Sequence, residues 1–191
     1  MEIILIGGVC YILGSIPFGF ILTKIFLKKD IRDLGSGNIG ATNALRTGNK
    51  FIGYGTLILD VIKAVIPILY IKYNYTDSIY IASLCSFLGH VFPIWLRFSG
   101  GKGIATYIGI LFSINLIYGF LFITIWVLIF FVSKYSSLSS LIGASSIPIY
   151  VIFFNQNFLF FYLIMFILII FTHRKNIKRL KNKEETKTKI Y

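Results

Sequence analysis

The sequence predicts an all-α integral membrane protein, and three observations carry this prediction. Hydrophobic residues make up 57% of the 191 residues and charged residues only 14%, whereas about a quarter of an ordinary soluble domain is charged. The apolar residues collect in long runs, and a membrane-spanning helix needs about 20 such residues. The net charge of +12 is concentrated in a few segments between these runs, as expected where positive residues stay on the cytoplasmic side. A disordered chain and a soluble globule are thereby excluded.

Six apolar runs can be recognised, and one of them is too long for a single helix. They cover residues 3–23, 52–71, 78–96, 104–132, 138–153 and 158–172. The fourth run would form a helix of roughly 43 Å, which exceeds the ~30 Å thickness of a hydrocarbon core. Asn115 and Gly119 lie near its middle. We therefore predict a break there and seven transmembrane helices, with six as the alternative.

The distribution of positive charge favours the seven-helix topology. Lys and Arg are dense in residues 24–50, 97–102 and 173–191. With seven helices these segments share one side of the membrane, whereas with six the last one faces the other side. We therefore predict an outer N-terminus and a cytoplasmic C-terminus. Residues 1–180 are predicted to form a single polytopic domain, followed by a basic and flexible tail over residues 181–191.

The segment after the first run has the composition of a phosphate-binding loop. Gly35, Gly37 and Gly40 allow sharp turns that can aim backbone N–H groups at an anion. Arg46 adds a planar and permanently charged guanidinium that suits phosphate. The neutral donors of the segment are Ser36, Asn38, Thr42 and Asn43. An ordinary flexible loop is the alternative, but the density of donors beside an arginine favours binding of a substrate phosphate.

A second glycine-rich segment surrounds a lysine just before another apolar run. Gly100, Gly101 and Gly103 flank Lys102, and Thr106 lies in the first turn of the predicted helix. The ammonium group and the helix dipole would both attract a phosphate there. Lys102 could instead be a membrane anchor on the cytoplasmic side. The glycines favour a role in phosphate binding.

Several polar residues lie within or at the end of the apolar runs, where an unpaired charge is costly. Asp60 and Lys63 lie three residues apart on one helix face and are predicted to form a structural ion pair. His90 either supports the site or is satisfied by a neighbouring carbonyl. His173 and Asn176 face the same way at the end of the last run. Taken alone, the basic residues around them indicate an anchor of the helix end among lipid head groups.

These segments indicate a site that holds one or more phosphates at the cytoplasmic boundary of the membrane. The sequence contains no evident catalytic triad and no clustered metal ligands, so neither a metal nor a cofactor is expected. Anionic membrane lipids account for the basic charge, and no nucleic acid is expected as a partner. Acyl, phosphoryl or glycosyl transfer to a lipid are all compatible with such a site, as is an organic-phosphate transporter.

Four motifs follow one another over nearly the whole chain. They are Gly14-Ser-Ile-Pro-Phe-Gly19, Gly35-Ser-Gly-Asn-Ile-Gly-Ala-Thr-Asn43 with Arg46, Gly89-His-Val-Phe-Pro93 with Gly100-Gly-Lys-Gly103, and His173-Arg-Lys-Asn-Ile-Lys-Arg-Leu180. Together they resemble the bacterial acyl-phosphate glycerol-3-phosphate acyltransferase family. The resemblance implies transfer of a fatty acyl group from acyl phosphate to the 1-hydroxyl of glycerol 3-phosphate. The products would be lysophosphatidic acid and phosphate, in the first committed step of phospholipid synthesis.

The resemblance also implies a location and a set of catalytic residues. The protein would be a multi-pass protein of the bacterial inner membrane, with its site facing the cytoplasm and with no coenzyme A thioester as the direct donor. The matched catalytic side chains are those of Ser36, Arg46, Lys102, His173 and Asn176. Acyl phosphate is already activated, so we expect direct attack by the glycerol hydroxyl rather than a covalent enzyme intermediate. A substrate phosphate oxygen or His173 would accept the proton.

One departure from the family pattern lies after the last motif. The family often continues as Leu-Leu-x-Gly-x-Glu, whereas here Lys183 stands in place of the glycine and Glu185 matches the acid. A turn at this point usually needs a glycine. The lysine therefore puts in question whether the chain turns back there.

Overall fold

The computed structural model describes residues 1–154 and 158–188, and within these ranges it contains helices and no strand. The last three residues of the predicted tail, 189–191, lie outside the described part. The helices are α1 (Glu2–Gly14), α2 (Phe18–Leu27), α3 (Ala41–Leu45), α4 (Lys50–Asn74), α5 (Ile79–Val91), α6 (Ile104–Ile114), α7 (Leu116–Ser133), α8 (Ser136–Phe154) and α9 (Leu159–Lys181). The all-α prediction is confirmed.

Six helical stretches of the described chain are long and apolar enough to cross a membrane. They are Glu2–Leu27, Lys50–Asn74, Thr76–Leu96, Leu116–Ser133, Ser136–Phe154 and Leu159–Lys181. The remaining apolar helix, α6, has only 11 residues. The total of seven spans and the orientation of the termini therefore stay predictions.

The predicted break in the longest apolar run is present. Helix α6 ends at Ile114 and α7 begins at Leu116, so the break falls at Asn115. The Asn115 side chain accepts a hydrogen bond of 2.9 Å from the Ile117 N–H group. Such a cap satisfies one of the backbone donors that a helix start leaves unpaired, which explains why the interruption falls at the asparagine.

The chain forms two compact units, Met1–Ile114 and Asn115–Tyr191. The predicted division at residue 180 stays a prediction. In the first unit, α4 packs along α6, α1, α2 and α5. Helices α4 and α6 run in the same direction, because Asp60 contacts the start of α6 and Lys72 its end. The Lys72 ammonium donates to the carbonyls of Ser113 and Ile114 and so caps α6.

The segment between α5 and α6 meets α4 far from its ends. Helix α5 contacts α4 through His90, and α6 contacts it through Thr106, both beside the Asp60–Lys63 turn. Asp60 lies ten residues after the start of α4, which corresponds to about 15 Å along the helix axis. Helix α2 packs beside the first part of α4, where the rings of Phe26 and Phe51 are 5.1 Å apart. The two ends of the connecting segment, at His90 and Thr106, are therefore held near the middle of α4.

The second unit is built from α7, α8 and α9, which pack in sequence order. Aromatic rings fill its interior: Tyr118 contacts Tyr150 and Tyr162 edge to face, with centroid distances of 5.8 and 5.3 Å. Trp126 donates to the Ser140 hydroxyl at 3.1 Å. The serine-rich helix α8 is thus used for close packing and for hydrogen bonds to a neighbouring helix.

Candidate active site

The first glycine loop, which we define as residues 30–46, is organised by the side chain of Asn43. Its amide nitrogen donates to the carbonyls of Leu34 and Asn38, both at 2.8 Å, and to that of Ile31 at 3.2 Å. Its amide oxygen accepts from the Ser36 N–H group at 2.8 Å. Asn43 is only 2% exposed. It therefore holds the loop in one shape, and because its N–H groups are used on loop carbonyls it differs from the free phosphate donor that the sequence predicts.

The glycines of this loop are used where the chain turns back. Gly35 and Gly37 have φ angles of +55° and +72°, which favour glycine. A Cβ atom on Gly35 would collide with the Asn43 amide oxygen. The N–H groups of Gly37 and Gly40 donate to the Leu34 carbonyl and the Asn38 side chain, both at 2.9 Å. These N–H groups bond within the loop itself, and contact of the loop with an anion stays a prediction.

Arg46 is an exposed cation at the end of the first glycine loop. Its Cδ atom lies 3.4 Å from the position that a Cβ atom of Gly35 would occupy. Among residues 1–154 and 158–188, no hydrogen bond or ion pair of its guanidinium is formed. Arg32, by contrast, is held by Asp30 at 2.6 Å. The hydrogen bonds from Arg32 hold the pKa of Asp30 below its usual value. Arg46 therefore keeps its charge available for a ligand.

The second glycine loop, which we define as residues 94–103, is pinned to the end of α5. The N–H groups of Gly100 and Gly101 donate to the carbonyls of Val91 and His90, both at 3.1 Å. A Cβ atom on Gly103 would lie within the Phe87 ring, and its φ angle is +84°. Each glycine thus allows a close approach that no larger residue permits. Lys102 lies between them and is half-buried.

The two loops share one apolar cluster in the first unit. Ile31, Ile39 and Ala44 of the first loop pack with Leu96 of the second, over Ile52 of α4. All of these side chains are at most 6% exposed. The structure therefore brings together the segments that carry Arg46 and Lys102, the two cations predicted to bind phosphate.

A network of buried ionisable side chains lies beneath the second glycine loop. The predicted ion pair is present, with 2.8 Å between the Lys63 Nζ and Asp60 Oδ1 atoms. The His90 Nδ1 atom lies 3.0 Å from the same Nζ atom. The sequence suggested a histidine that either supports the site or is satisfied by a carbonyl. The partner of Nδ1 is Lys63 rather than a carbonyl, and sequence spacing could not identify it because it lies 27 positions away. A supporting role of His90 stays a prediction.

His173 and Asn176 belong to the second unit, where both are buried in α9. The His173 Nδ1 atom lies 2.9 Å from the Ile169 carbonyl oxygen. A carbonyl oxygen can only accept, so Nδ1 carries a proton, and in the neutral ring the lone pair is on Nε2. This tautomer can accept a proton at Nε2.

Asn176 is hydrogen-bonded to Glu185, in the segment that follows α9. Its amide donates to Glu185 at 2.6 Å, and the same carboxylate accepts from the Ser137 hydroxyl at 2.8 Å and from Arg179 at 2.7 Å. Burial raises the pKa of Glu185, but these hydrogen bonds outweigh that effect and the net pKa is lowered. Glu185 matches the acid of the family pattern, but nothing in the sequence indicated that Ser137 would be its partner.

The turn that Lys183 put in question is formed. Lys183 adopts a φ angle of +60°. Its N–H group donates to the Leu180 carbonyl at 3.2 Å, and the Glu184 N–H group donates to the Arg179 carbonyl at 2.8 Å. This pair of bonds is the helix-ending motif that usually has glycine at the left-handed position. The turn brings Glu185 back to Asn176 in spite of the lysine.

The predicted site residues differ in exposure. Exposed positions are Gly35, Ser36, Gly37 and Arg46; half-buried positions are Asn38, Gly40, Thr42, Gly100 and Lys102; buried positions are Asn43, His90, Gly101, Gly103, Thr106, His173 and Asn176. The exposed group lies on the first glycine loop, whereas the predicted residues of the second loop, 100–103, are half-buried or buried. Their assignment to catalysis and binding stays a prediction.

The chain is similar to known proteins over its whole length. The sequence profile of the family described as glycerol-3-phosphate acyltransferase matches residues 4–183. A glycerol-3-phosphate acyltransferase of Pelagibacter ubique is 68% identical over 191 residues, which cover 100% of both chains. Another, from Bartonella henselae, is 44% identical and covers 96% of this chain and 90% of its own.

Two solved structures have the same fold. The crystal structure of PlsY (YgiH), an integral membrane glycerol 3-phosphate acyltransferase, in its glycerol 3-phosphate form has a TM-score of 0.92 at 33% identity and covers 98% of this chain and 96% of its own. Its lysophosphatidic acid form gives 0.89 at 33% identity, with coverages of 98% and 95%. The described chain thus has the fold of an integral membrane enzyme, and it belongs to the glycerol-3-phosphate acyltransferase family.

Proposed function

We propose that this chain transfers a fatty acyl group from acyl phosphate to the 1-hydroxyl of glycerol 3-phosphate, giving lysophosphatidic acid and inorganic phosphate. The observation that carries the proposal is the shared apolar cluster under the two glycine loops, since it joins two cationic segments in one unit. Both proposed substrates bear a phosphate, and each cation would neutralise one. The family assignment favours an enzyme over an organic-phosphate transporter.

The identity of the acceptor and of the product is supported by the relatives. The solved PlsY protein has a glycerol 3-phosphate form and a lysophosphatidic acid form. An acceptor of this kind carries a dianionic phosphate, to which an exposed guanidinium such as that of Arg46 can bind through two parallel hydrogen bonds. Ser36, at the tip of the same loop, would add a neutral hydroxyl donor.

The transfer proceeds in one step without a covalent enzyme intermediate. The acceptor hydroxyl oxygen attacks the carbonyl carbon of acyl phosphate, and the bond between that carbon and the phosphate oxygen breaks. The phosphate leaves with the electron pair. Lys102 and Arg46 stabilise the charges on the two phosphates, while the enzyme holds the reactants in line. The driving force is contained in the donor, so a serine nucleophile is not required.

The proton of the hydroxyl passes to a phosphate oxygen or to Nε2 of His173. The tautomer of His173 fits this role, because its Nδ1 proton is directed to the Ile169 carbonyl. Asn176 lies one helical turn further on and is positioned by Glu185. The roles of His173 and Asn176 are proposed from the resemblance of the last motif to the family.

The site faces the cytoplasm in a seven-helix protein of the bacterial inner membrane, with the N-terminus outside. The dense Lys and Arg content of residues 24–50, 97–102 and 173–191 supports this orientation. Both glycine loops belong to these basic segments or adjoin them. Water-soluble glycerol 3-phosphate would enter from the cytoplasm, and the acyl chain would come from the membrane.

The assay that tests the proposal compares two donors. The purified full-length chain in detergent is given glycerol 3-phosphate with either palmitoyl phosphate or palmitoyl-coenzyme A, and lysophosphatidic acid is measured. We expect turnover with palmitoyl phosphate only, with release of one phosphate per product. Turnover with the thioester and none with acyl phosphate would contradict the proposed donor.

A further inference from the structure

The buried Asp60–Lys63–His90 network lies outside the set of residues that meet substrate in the proposed function. Asp60 is 2%, Lys63 6% and His90 3% exposed. Charges are expensive in the interior of a membrane protein, and they are usually retained for a function or kept paired. A simple ion pair would explain Asp60 and Lys63 but would leave the histidine without a purpose.

The Lys63 ammonium joins three segments of the first unit. It donates to the Ile16 carbonyl at 2.7 Å, lies 3.0 Å from His90 Nδ1, and forms an ion pair with Asp60 Oδ1 at 2.8 Å. Ile16 lies in the bend between α1 and α2, His90 near the end of α5, and Asp60 on α4 itself. Lys63 is therefore the point at which these segments are fixed to one another.

The contact with Lys63 determines which ring nitrogen of His90 carries the hydrogen. An ammonium can only donate, so the His90 Nδ1 atom accepts and Nε2 carries the hydrogen. The Nε2 edge of the ring lies against Gly101, where an added Cβ atom would collide with it. The ring and the backbone of His90 thus form the support of the second glycine loop, and the Gly101 N–H group bonds to the His90 carbonyl.

The network also reaches the chain on the other side of Lys102. The Thr106 hydroxyl contacts the Asp60 carbonyl at 3.4 Å. The residue before Lys102 is therefore held by His90, and the first turn of the helix after it is held by Asp60. Displacement of either partner would move the backbone from which Lys102 projects.

We propose that Asp60, Lys63 and His90 are positioning residues that fix the second glycine loop on α4 and thereby set the place of Lys102 against a substrate phosphate. This inference rests on the proposed function, because it requires that Lys102 binds phosphate. The buried ions act through the loop and touch neither substrate. Their ion pair and hydrogen bonds fix the position of the second glycine loop, which neutral side chains of equal volume would not do.

A matched pair of variants at His90 tests the role of the acceptor atom. His90→Leu keeps the volume but removes the acceptor for Lys63, whereas the amide oxygen of His90→Asn replaces Nδ1 closely. We expect His90→Leu to raise the KM of one phosphate-bearing substrate by about tenfold, since small misplacements of a binding group are costly. His90→Asn should restore most of the affinity. Ser83→Ala, which removes a buried hydroxyl that lacks a hydrogen-bond partner in the described chain, is the control and should change neither KM nor kcat.

Coupling to Lys102 separates positioning from a general effect on folding. If the network acts through Lys102, His90→Leu should have no further effect on kcat/KM in a Lys102→Ala background. If the fold-decreases in kcat/KM of the two single variants multiplied in the double variant, the inference would be overturned. A His90→Leu variant with a lower melting temperature but an unchanged KM would also overturn the inference. That result would mean that the network is needed only for folding.

A second route avoids leaving a buried ion unpaired. The double variant Asp60→Leu with Lys63→Met removes both charges at similar volume, which membrane interiors tolerate, and the same rise in KM is expected. A wild-type KM in this folded variant would overturn the inference. Wild-type activity of Lys102→Ala would instead mean that the proposed phosphate assignment itself is wrong. Loss of activity in Lys102→Ala together with a normal KM in His90→Leu would reject the positioning role alone.

Discussion

The two glycine loops present a cation in different ways. The first glycine loop is held by a neutral amide, Asn43, and leaves Arg46 exposed. The second is held from below by buried ions and a histidine, and it leaves Lys102 half-buried. Buried charges are costly unless they are paired, whereas a neutral amide can organise a loop through hydrogen bonds alone. In the proposed function, Arg46 would therefore meet a phosphate at the surface and Lys102 one in a more enclosed position.

The largest expected effect comes from removing the cations themselves. Lys102→Ala and Arg46→Ala should each lower kcat/KM by at least about 100-fold, because each withdraws charge stabilisation from a phosphate. The folded state should survive, since neither side chain belongs to the apolar cluster. Steady-state kinetics and size-exclusion profiles in detergent check both points.

The control for these variants is another arginine of the first glycine loop. Arg32 is already paired with Asp30, and Arg32→Ala should therefore keep nearly the full rate. An equal loss in Arg32→Ala would mean that general surface charge, and not the position of Arg46, matters.

The second largest effect on substrate binding should come from Asn43, the neutral side chain that organises the first glycine loop. Asn43→Ala removes four hydrogen bonds within the first glycine loop, each contributing about 0.5–1.5 kcal/mol to stability. We expect a local loosening that makes the loop sensitive to limited proteolysis and raises the KM of one substrate about tenfold. Asn43→Asp keeps the acceptor but not the donors, so it should be affected as well. A protease-resistant, fully active Asn43→Ala would show that the loop is shaped by its apolar cluster alone.

A smaller effect is expected at the turn after α9. The lowered pKa of Glu185 means that its ionised form stabilises the folded state at pH values above the ordinary glutamate pKa of about 4.3. This stabilisation is lost as the pH falls through the lower folded value. Glu185→Gln should therefore unfold at a lower temperature than wild type at pH 7, and the difference should shrink below about pH 4. Thermal unfolding over this pH range measures it, and a constant difference at all pH values would contradict the role of the charge.

The smallest structural effect concerns Lys183. Its left-handed conformation costs a non-glycine residue about 1 kcal/mol. Lys183→Gly should therefore raise the melting temperature by a few degrees with no change in activity. Lys181→Gly, within the last turn of α9, should lower it because glycine weakens helices. A stabilising Lys181→Gly would contradict this explanation.

No effect at all is expected from a chelator. The proposed reaction relies on Arg46 and Lys102 for charge stabilisation, so the rate should be unchanged after incubation with EDTA. Loss of activity that added magnesium restores would contradict this expectation.

The sequence predicted the parts of the fold that depend on local pattern. Apolar run lengths predicted the helices, and the excessive length of the fourth run, with Asn115 and Gly119 near its middle, predicted the break. The structure adds that Asn115 caps the helix after the break. The Asp60–Lys63 pair followed from helical spacing. Each of these features depends on residues that are near in sequence.

Contacts between distant segments could not be predicted in the same way. His90 joins Lys63 across 27 positions, and Ser137 meets Glu185 across 48. Neither pairing leaves a periodic signal in the sequence. Lys183 shows a further difficulty: the usual glycine is absent, yet the turn forms, because the bonds of Glu185 offset the cost of the left-handed lysine.

The most direct test of the phosphate-binding account is equilibrium binding of glycerol 3-phosphate to the detergent-solubilised protein, without donor, by titration calorimetry. Wild type should bind glycerol 3-phosphate but not glycerol, and at least one of the variants Arg46→Ala and Lys102→Ala should bind it about tenfold more weakly, while Arg32→Ala binds it normally. Unchanged affinity in both cation variants would contradict the claim that the two glycine loops bind the phosphates.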